Sequence, residues 1–382
     1  MRKQPGHRSS ERKSSRRARA AAAVAVSAIT LGVLASPATA ATRPHTIQQG
    51  LDDLVRTDGV PAALATVQDG DGRSDTYTAG VGDLSTGSPV PVDGQVRIGS
   101  NTKTFTAVVM LQLAGERKIR LDAPVDTYLP GVVRGDGIDG RVITVRQLLQ
   151  HTSGLPNYVY YLSDDVRYYA PRDLLGLALQ HKADFAPGTG WKYSNTNYVL
   201  AGLIIEKVTG HPIADEITRR VIDRIGLRHT YFPAAHELTI REAHAKGYDR
   251  ASPDVPYTDV TNLDPSWGWA AGQMVSTNSD LNRFFTALLA GRLLRPAQLA
   301  QMRHTVPAGA PFAEGSRYGL GLVSTPLSCG GVYWGHGGST TGYETRGGVT
   351  KTLRAANIAV TTQPGTPTMK HAETVIDQAL CR

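Results

Sequence analysis

Three short groups of residues carry side chains suited to hydrolytic chemistry. The first lies in RIGSNTKTF, Arg97 to Phe105, where Ser100 stands three residues before Lys103 at the start of an apolar stretch. A serine at a helix start meets unpaired backbone N–H groups, and the helix dipole there favours the negative charge of an attacking alkoxide or a bound oxyanion. A lysine three residues on shares that helix face. Its amine can take the serine proton once burial or a cationic environment lowers its pKa. The same pair also suits an N-cap serine followed by an exposed first-turn lysine, and Ser-x-x-Lys recurs at Ser10 and Lys13.

The second group is Tyr193-Ser194-Asn195 in KYSNTNY, the only Tyr-x-Asn of the chain, placed just before an apolar stretch of helical pattern. The third is His336-Gly337-Gly338 in WGHGGSTTGY, the only His-x-Gly, at the end of an expected strand. A phenol beside a lysine can carry a proton, an amide side chain can hold a substrate amide, and a glycine-rich strand lets a substrate backbone approach closely. Taken singly, each group also suits a loop, an N-cap or a turn.

The elements that must position these groups follow from hydrophobic period and turn residues. Helices are expected over His45 to Arg56, Ser100 to Leu113, Thr144 to Gln150, Arg172 to His181, Asn197 to Thr209, Thr277 to Ala290 and Thr368 to Leu380. Strands are expected over Ala62 to Gln68 and Thr76 to Gly80, joined through Asp69-Gly70-Asp71-Gly72. Four more fall at Tyr318 to Ser324, Gly331 to His336, Tyr343 to Thr350 and Ala356 to Thr362. Both ends of the chain therefore contribute to one antiparallel sheet of about five strands flanked by helices, with a mostly helical region inserted at about 115–310. The expected fold class is α/β of the α+β type.

The first 40 residues read as a secretory leader: a basic stretch, an apolar run from Ala20 to Ala35, then Ala38-Thr39-Ala40 as a cleavage site. The run is short for a membrane span, and no cysteine follows to carry a lipid anchor. Arg16-Arg17 hints weakly at twin-arginine export. The leader holds eight Lys or Arg against Glu11, which is +7 of the chain's +8. Residues 41–382, the expected hydrolase domain, are thus near neutral, which removes the support for a nucleic-acid partner. Cys329 and Cys381 are the only cysteines. Export favours one disulfide tying the C-terminus to the body, the alternative being two buried thiols.

Ser100 to Lys103, LLQHTSGLPNY (Leu148 to Tyr158), YSNTNYVLAGLIIEKVTG (Tyr193 to Gly210) and GHGGSTTGY (Gly335 to Tyr343) together resemble the penicillin-recognising serine hydrolases. More narrowly, the chain looks like exported actinomycete D-alanyl-D-alanine carboxypeptidases, related to class C β-lactamases and esterases, over about Thr46 to Cys381 and including both cysteines. The resemblance implies a β-lactamase/transpeptidase-like fold and an acyl-enzyme on Ser100, with Lys103 and Tyr193 sharing proton transfer in an order that sequence leaves open. It implies an oxyanion hole from the backbone N–H groups of Ser100 and Ser339. Asn195 would bind the acyl-side amide. His336, beside Gly338, would keep the site electropositive and hydrogen-bond Tyr193, and Trp267 or Trp269 would form an aromatic wall.

One departure bears on specificity. Carboxypeptidases of this family grip the terminal carboxylate with an arginine on the strand before the cysteine, where this chain has Val323 in YGLGLVSTPLSCG, and Gly337 follows His336 in place of Thr. An arginine–carboxylate pair is a strong charge-assisted contact. Ser339, Thr340, Thr341 and Arg346 remain as donors. The expectation is retained chemistry with weakened carboxylate recognition, moving preference towards D-amino-acid amides, internal peptide bonds or esters.

No complete G-x-S-x-G exists, HELTIREAH lacks metalloprotease spacing, and there is no C-x-x-C. No metal and no cofactor is implied. The expected protein is a secreted monomeric hydrolase acting on D-amino-acid peptides and acylated by β-lactams. The alternatives are an esterase or β-lactamase on the same fold, and a non-catalytic penicillin-sensing or wall-binding protein.

Overall fold

Alternating and continuous apolar runs from both ends of the chain meet in one sheet. The strand Ala62–Gln68 pairs antiparallel with Ala355–Val360, Ala63 opposite Val360, so the start and the end of the fold are hydrogen-bonded neighbours. Across the sheet the order is Val306–Pro307, Arg317–Tyr318, Val323–Pro326, Val332–Gly335, Tyr343–Thr350, Ala355–Val360, Ala62–Gln68, Ser74–Asp83 and Ser88–Pro89. The short strand Gly338–Thr340 pairs beside Val332–Gly335 on the same neighbour, Tyr343–Thr350. The sheet thus has ten strands, more than the expected five, because two- to four-residue strands extend one edge and cap the other. The computed structural model describes residues 43–163, 167–252 and 254–381, which belong to one compact unit. The leader and its cleavage site lie outside the described residues.

Helices cover both faces. Arg43–Arg56 and Thr366–Leu380 bury Leu51, Leu54, Val375 and Ile376 against one side of the sheet. On the other side Asn278–Leu289 carries Phe284, which stacks on Phe105 with ring centroids 3.7 Å apart. Phe105 belongs to Thr102–Gly115, which is buried almost all round, as is Thr196–Thr209. A helix apolar on every side has to lie inside the protein, and these two form the centre of the helical layer.

One expected strand is two. Tyr318 to Ser324 splits into Arg317–Tyr318 and Val323–Pro326, joined by a turn in which Gly319 N–H donates to the Leu322 carbonyl. Gly321 takes φ +74° in that turn and packs on the helix Thr102–Gly115, where a Cβ would stand 2.5 Å from the Ala107 Cβ. Thr104 donates to the Gly321 carbonyl at 2.7 Å, tying the hairpin to that helix. Among the described residues no helix is long and apolar enough to cross a membrane. Cys329 and Cys381 are disulfide-bonded, Cα to Cα 5.7 Å, which fastens the final helix to the sheet.

Candidate active site

Ser100 sits in a single 3₁₀ turn, Gly99–Asn101, that leads into the helix Thr102–Gly115. Its neighbour Gly99 has φ +46°, a conformation that favours glycine, and a Cβ there would come within 2.9 Å of the Ser339 nitrogen. From the opposite side, a Cβ on Gly338 would reach the Ile98 carbonyl at 2.0 Å and the Ser100 nitrogen at 2.9 Å. The strand Gly338–Thr340 therefore leans directly on the Ser100 turn, and only two glycines permit that approach. This places the main chain of Ser339 beside that of Ser100.

Lys103 is completely buried below the serine. Its Nζ donates to Ser100 Oγ at 2.9 Å, to Asn195 Oδ1 at 2.6 Å and to the Ala271 carbonyl at 2.8 Å. Three acceptors suit the three hydrogens of an ammonium, whereas burial disfavours its charge and holds the Lys103 pKa well below the usual lysine range. Tyr193 faces the same serine: its phenol is close enough to Ser100 for the two to interact, and its ring lies 4.9 Å from Lys103 Nζ. Burial raises the Tyr193 pKa, so the phenol keeps its proton. The arrangement can move a proton from Ser100 to a neutral Lys103 and supply another from Tyr193.

Asn195 is held at both ends. Its Oδ1 accepts from Lys103, and its Nδ2 donates to Asn157 Oδ1 at 3.3 Å, which also accepts from the Asn195 backbone N–H at 3.1 Å. That leaves one Nδ2 hydrogen for a ligand. Asn157 lies within LLQHTSGLPNY, yet nothing local in that segment shows that its partner is 38 residues away.

Ser100, Tyr193, Asn195, Trp267, His336, Gly338 and Ser339 all line one cleft of about 330 Å³. Trp267 supplies its wall, while Trp269 packs against Gly202 of the helix Thr196–Thr209. His336 differs from its expected role. Its Nε2 is hydrogen-bonded to the Tyr318 hydroxyl at 3.0 Å, and its ring centroid is 6.3 Å from that of Tyr193. Burial first, and Lys103 second, lower its pKa to about 3, so it adds no positive charge to the site. Cys329 and Cys381 stand apart from the cleft as a structural bridge.

The same cleft carries the specificity signals that sequence reading left open. Val323 lines it, with Thr325, Tyr333, Arg346 and Glu373. Arg346 is not a free cation: its Nη1 pairs with Glu344 and donates to the Thr345 carbonyl, and its Nε is 3.5 Å from Glu373 Oε1. Burial raises the Glu344 pKa while Arg346 opposes it. Glu373 comes from the final helix, which the disulfide secures. Phe312, another residue without a sequence signal, covers Tyr193 and His336 at centroid distances of 5.7 Å.

The Beta-lactamase family model matches residues 45–380. The chain belongs to the beta-lactamase family. It is a serine hydrolase of the β-lactamase and penicillin-binding-protein fold. Among solved structures it is similar to a D-stereospecific amidohydrolase from Streptomyces sp., with 40% identity and TM-score 0.78 over 86% of this chain and 98% of that one. It is also similar to the D-amino acid amidase from Ochrobactrum anthropi SV3, with 27% identity and TM-score 0.77 over 88% and 97% of the two chains. Penicillin-binding protein 4 of Amycolatopsis lactamdurans is 30% identical over 69% of this chain and 70% of its own length. Against two curated relatives from Bacillus subtilis, the chain spans 55% and 61% of their length.

Proposed function

We propose that this exported serine hydrolase cleaves D-aminoacyl amides and peptides whose leaving side lacks a free carboxylate. The finer carboxypeptidase activity implied by family resemblance is then a weak side reaction. The observation that carries the reading is Arg346 held between Glu344 and Glu373, with Val323 beside it. One cation shared by two carboxylates has little charge left for a substrate carboxylate, and a third anion would be repelled. The D-stereospecific amidohydrolase and D-amino acid amidase among its structural neighbours support the same substrate class.

In this reading Ser100 attacks the scissile carbonyl while its proton passes to Lys103, whose buried amine is the base. The oxyanion forms against the N–H groups of Ser100 and Ser339. Tyr193, kept protonated by burial, donates to the leaving nitrogen. Water then hydrolyses the ester on Ser100 by the reverse proton path. Asn195 offers its remaining amide hydrogen to the acyl side, and Trp267 walls that end. A penicillin-binding relative supports acylation of the same serine by β-lactams.

The test is a comparison of kcat/KM for D-alanyl-D-alanine amide, its methyl ester and the free acid, with the L,L isomers as controls. We expect the amide and ester to exceed the free acid by about tenfold or more, the worth of one charge-assisted contact, and the L,L series to be nearly inert. Equal turnover of free acid and methyl ester would overturn the reading.

A further inference from the structure

LLQHTSGLPNY contains a histidine to which the chemistry above gives no task. His151 is completely buried and ends the short helix Val145–Gln150, which Thr144 and Gln147 start as a capping box. Its backbone takes the left-handed conformation, φ 62°. Its carbonyl accepts from the Lys192 N–H at 3.1 Å, and its Nδ1 accepts from the Ser194 N–H at 3.2 Å, so it grips the turn that presents Tyr193 from both sides. The two rings lie 4.4 Å apart.

The hydrogen positions in this region follow from its ends. A backbone N–H can only donate, so His151 Nδ1 is the unprotonated nitrogen and, in the neutral ring, Nε2 carries the hydrogen. That hydrogen faces the Tyr318 hydroxyl at 3.2 Å. At the other end a carbonyl can only accept, so His336 Nδ1 must carry the hydrogen that it donates to the Gly337 carbonyl. His336 Nε2 is then a buried lone pair, and the Tyr318 hydroxyl, 3.0 Å away, is the donor placed to satisfy it. The chain closes in one direction: Ser194 N–H, His151, Tyr318, His336, Gly337 carbonyl. Tyr198 touches the Tyr318 hydroxyl but gives its own proton to the Leu149 carbonyl at 2.8 Å.

We propose that His151 and Tyr318 are positioning residues that lock His336 as the neutral Nδ1–H tautomer and thereby fix the Gly337-to-Ser339 edge against the Ser100 turn. The proposal rests on the reading of Ser100 as nucleophile. The link is short: the Gly337 carbonyl held by His336 belongs to the peptide that leads into Gly338, and Gly338 packs on Ser100. The same chain couples that edge to the turn bearing Tyr193, so both sides of the site share one hydrogen-bonded spine. The groups facing His336 are Lys103 from the central helix, Tyr193 from its turn, Tyr318 from the edge hairpin and Arg346 from the neighbouring strand. Arg346, and Lys103 whenever it holds a third proton, work against an imidazolium there. His151 meets Lys103 and His336 in the same way; Asn197 Nδ2, 3.0 Å from its Nδ1, donates there beside Ser194 N–H, and the rings of Trp191, Tyr193, Tyr198 and Tyr318 surround it.

Imidazole nitrogens of uniformly ¹⁵N-histidine-labelled enzyme report the tautomers directly and need no substrate. We expect His151 as Nε2–H and His336 as Nδ1–H, both unchanged from pH 5 to 8. Either ring in the other tautomer, or titrating in that range, overturns the proposal. The second measurement is Tyr318→Phe, which keeps the ring and removes one hydroxyl. We expect the His336 Nε2 resonance to move, and kcat and the rate of phosphonylation by a fluorophosphonate, in which Ser100 Oγ displaces fluoride at phosphorus, to fall about 10- to 100-fold with KM within about threefold, as for a small misplacement of reacting groups. Phosphonylation within twofold of the parent overturns the proposal. If the parent itself were not phosphonylated on Ser100, the nucleophile assignment would fail while the tautomer result stood. Should Tyr318→Phe not fold, the native tautomers decide alone.

Discussion

Two groups of residues in the cleft are built on opposite principles. Around Ser100 the proton-transfer and amide-binding groups are held by close partners: Lys103 is surrounded by three acceptors, and Asn195 is held by Lys103 and Asn157. Around Val323 the strongest charge is cancelled inside the protein, because Arg346 is shared by Glu344 and Glu373. The first region is arranged to move a proton, and the second to refuse a charge. A bond-breaking apparatus can therefore stay intact while preference for the leaving group shifts through residues that never touch the nucleophile.

That contrast can be broken at the reacting end first. Ser100→Ala should lower kcat by at least about 10⁴-fold, as removal of a nucleophile does elsewhere, and should abolish the mass increase on incubation with a penicillin. An unchanged rate would show that the hydrolysis occurs at another residue. Lys103→Arg comes next, with an expected loss of about 10³-fold in kcat/KM, since a guanidinium does not give up its proton to become a base. The parent enzyme should also show the matching pH profile. Activity rises with pH through the depressed Lys103 pKa, below the usual lysine range, because the base must be neutral. It falls only above the usual phenol range, because burial keeps Tyr193 protonated. A rising limb near pH 10 would remove Lys103 from the role of base.

Around Arg346 the effects are smaller and opposite in sign. Glu373→Gln removes one of the two carboxylates that hold Arg346, so turnover of free-acid D-alanyl-D-alanine should rise about tenfold relative to its amide, one charge-assisted contact regained. Steady-state kinetics on the two substrates check it. A ratio unchanged by the substitution would mean that Arg346 does not face the leaving group.

Legibility followed the same division. Ser100 and Lys103 are three residues apart, and helix geometry alone puts them together. Tyr193, Asn195 and His336 were recognisable from their order along the chain. The partners of those residues were not, because Asn157, Tyr318 and Glu373 reach the site through sheet register and helix docking that no local spacing encodes. The run YGLGLVS shows the limit well: its apolar content reads as one strand, whereas Gly321 at φ +74° turns it into a hairpin that packs on Ala107. That hairpin carries Tyr318, so the missed turn and the missed partner of His336 are one omission. The neutral state of His336 was likewise invisible, since it depends on burial. The sheet's central strands were clear from apolar runs, whereas the two-residue edge strands had no period to reveal them.

The amide of Asn195, fastened at its oxygen by Lys103 and at its nitrogen by Asn157, has a thermodynamic consequence. Immobilising a side chain on binding typically costs about 0.5–1.5 kcal/mol in rotamer entropy. Here folding has already frozen that rotor before any ligand arrives. Calorimetry of an unreactive D-aminoacyl analogue should therefore show a smaller entropic penalty with the parent than with Asn157→Ala, in which the Asn195 amide turns freely until the ligand catches it.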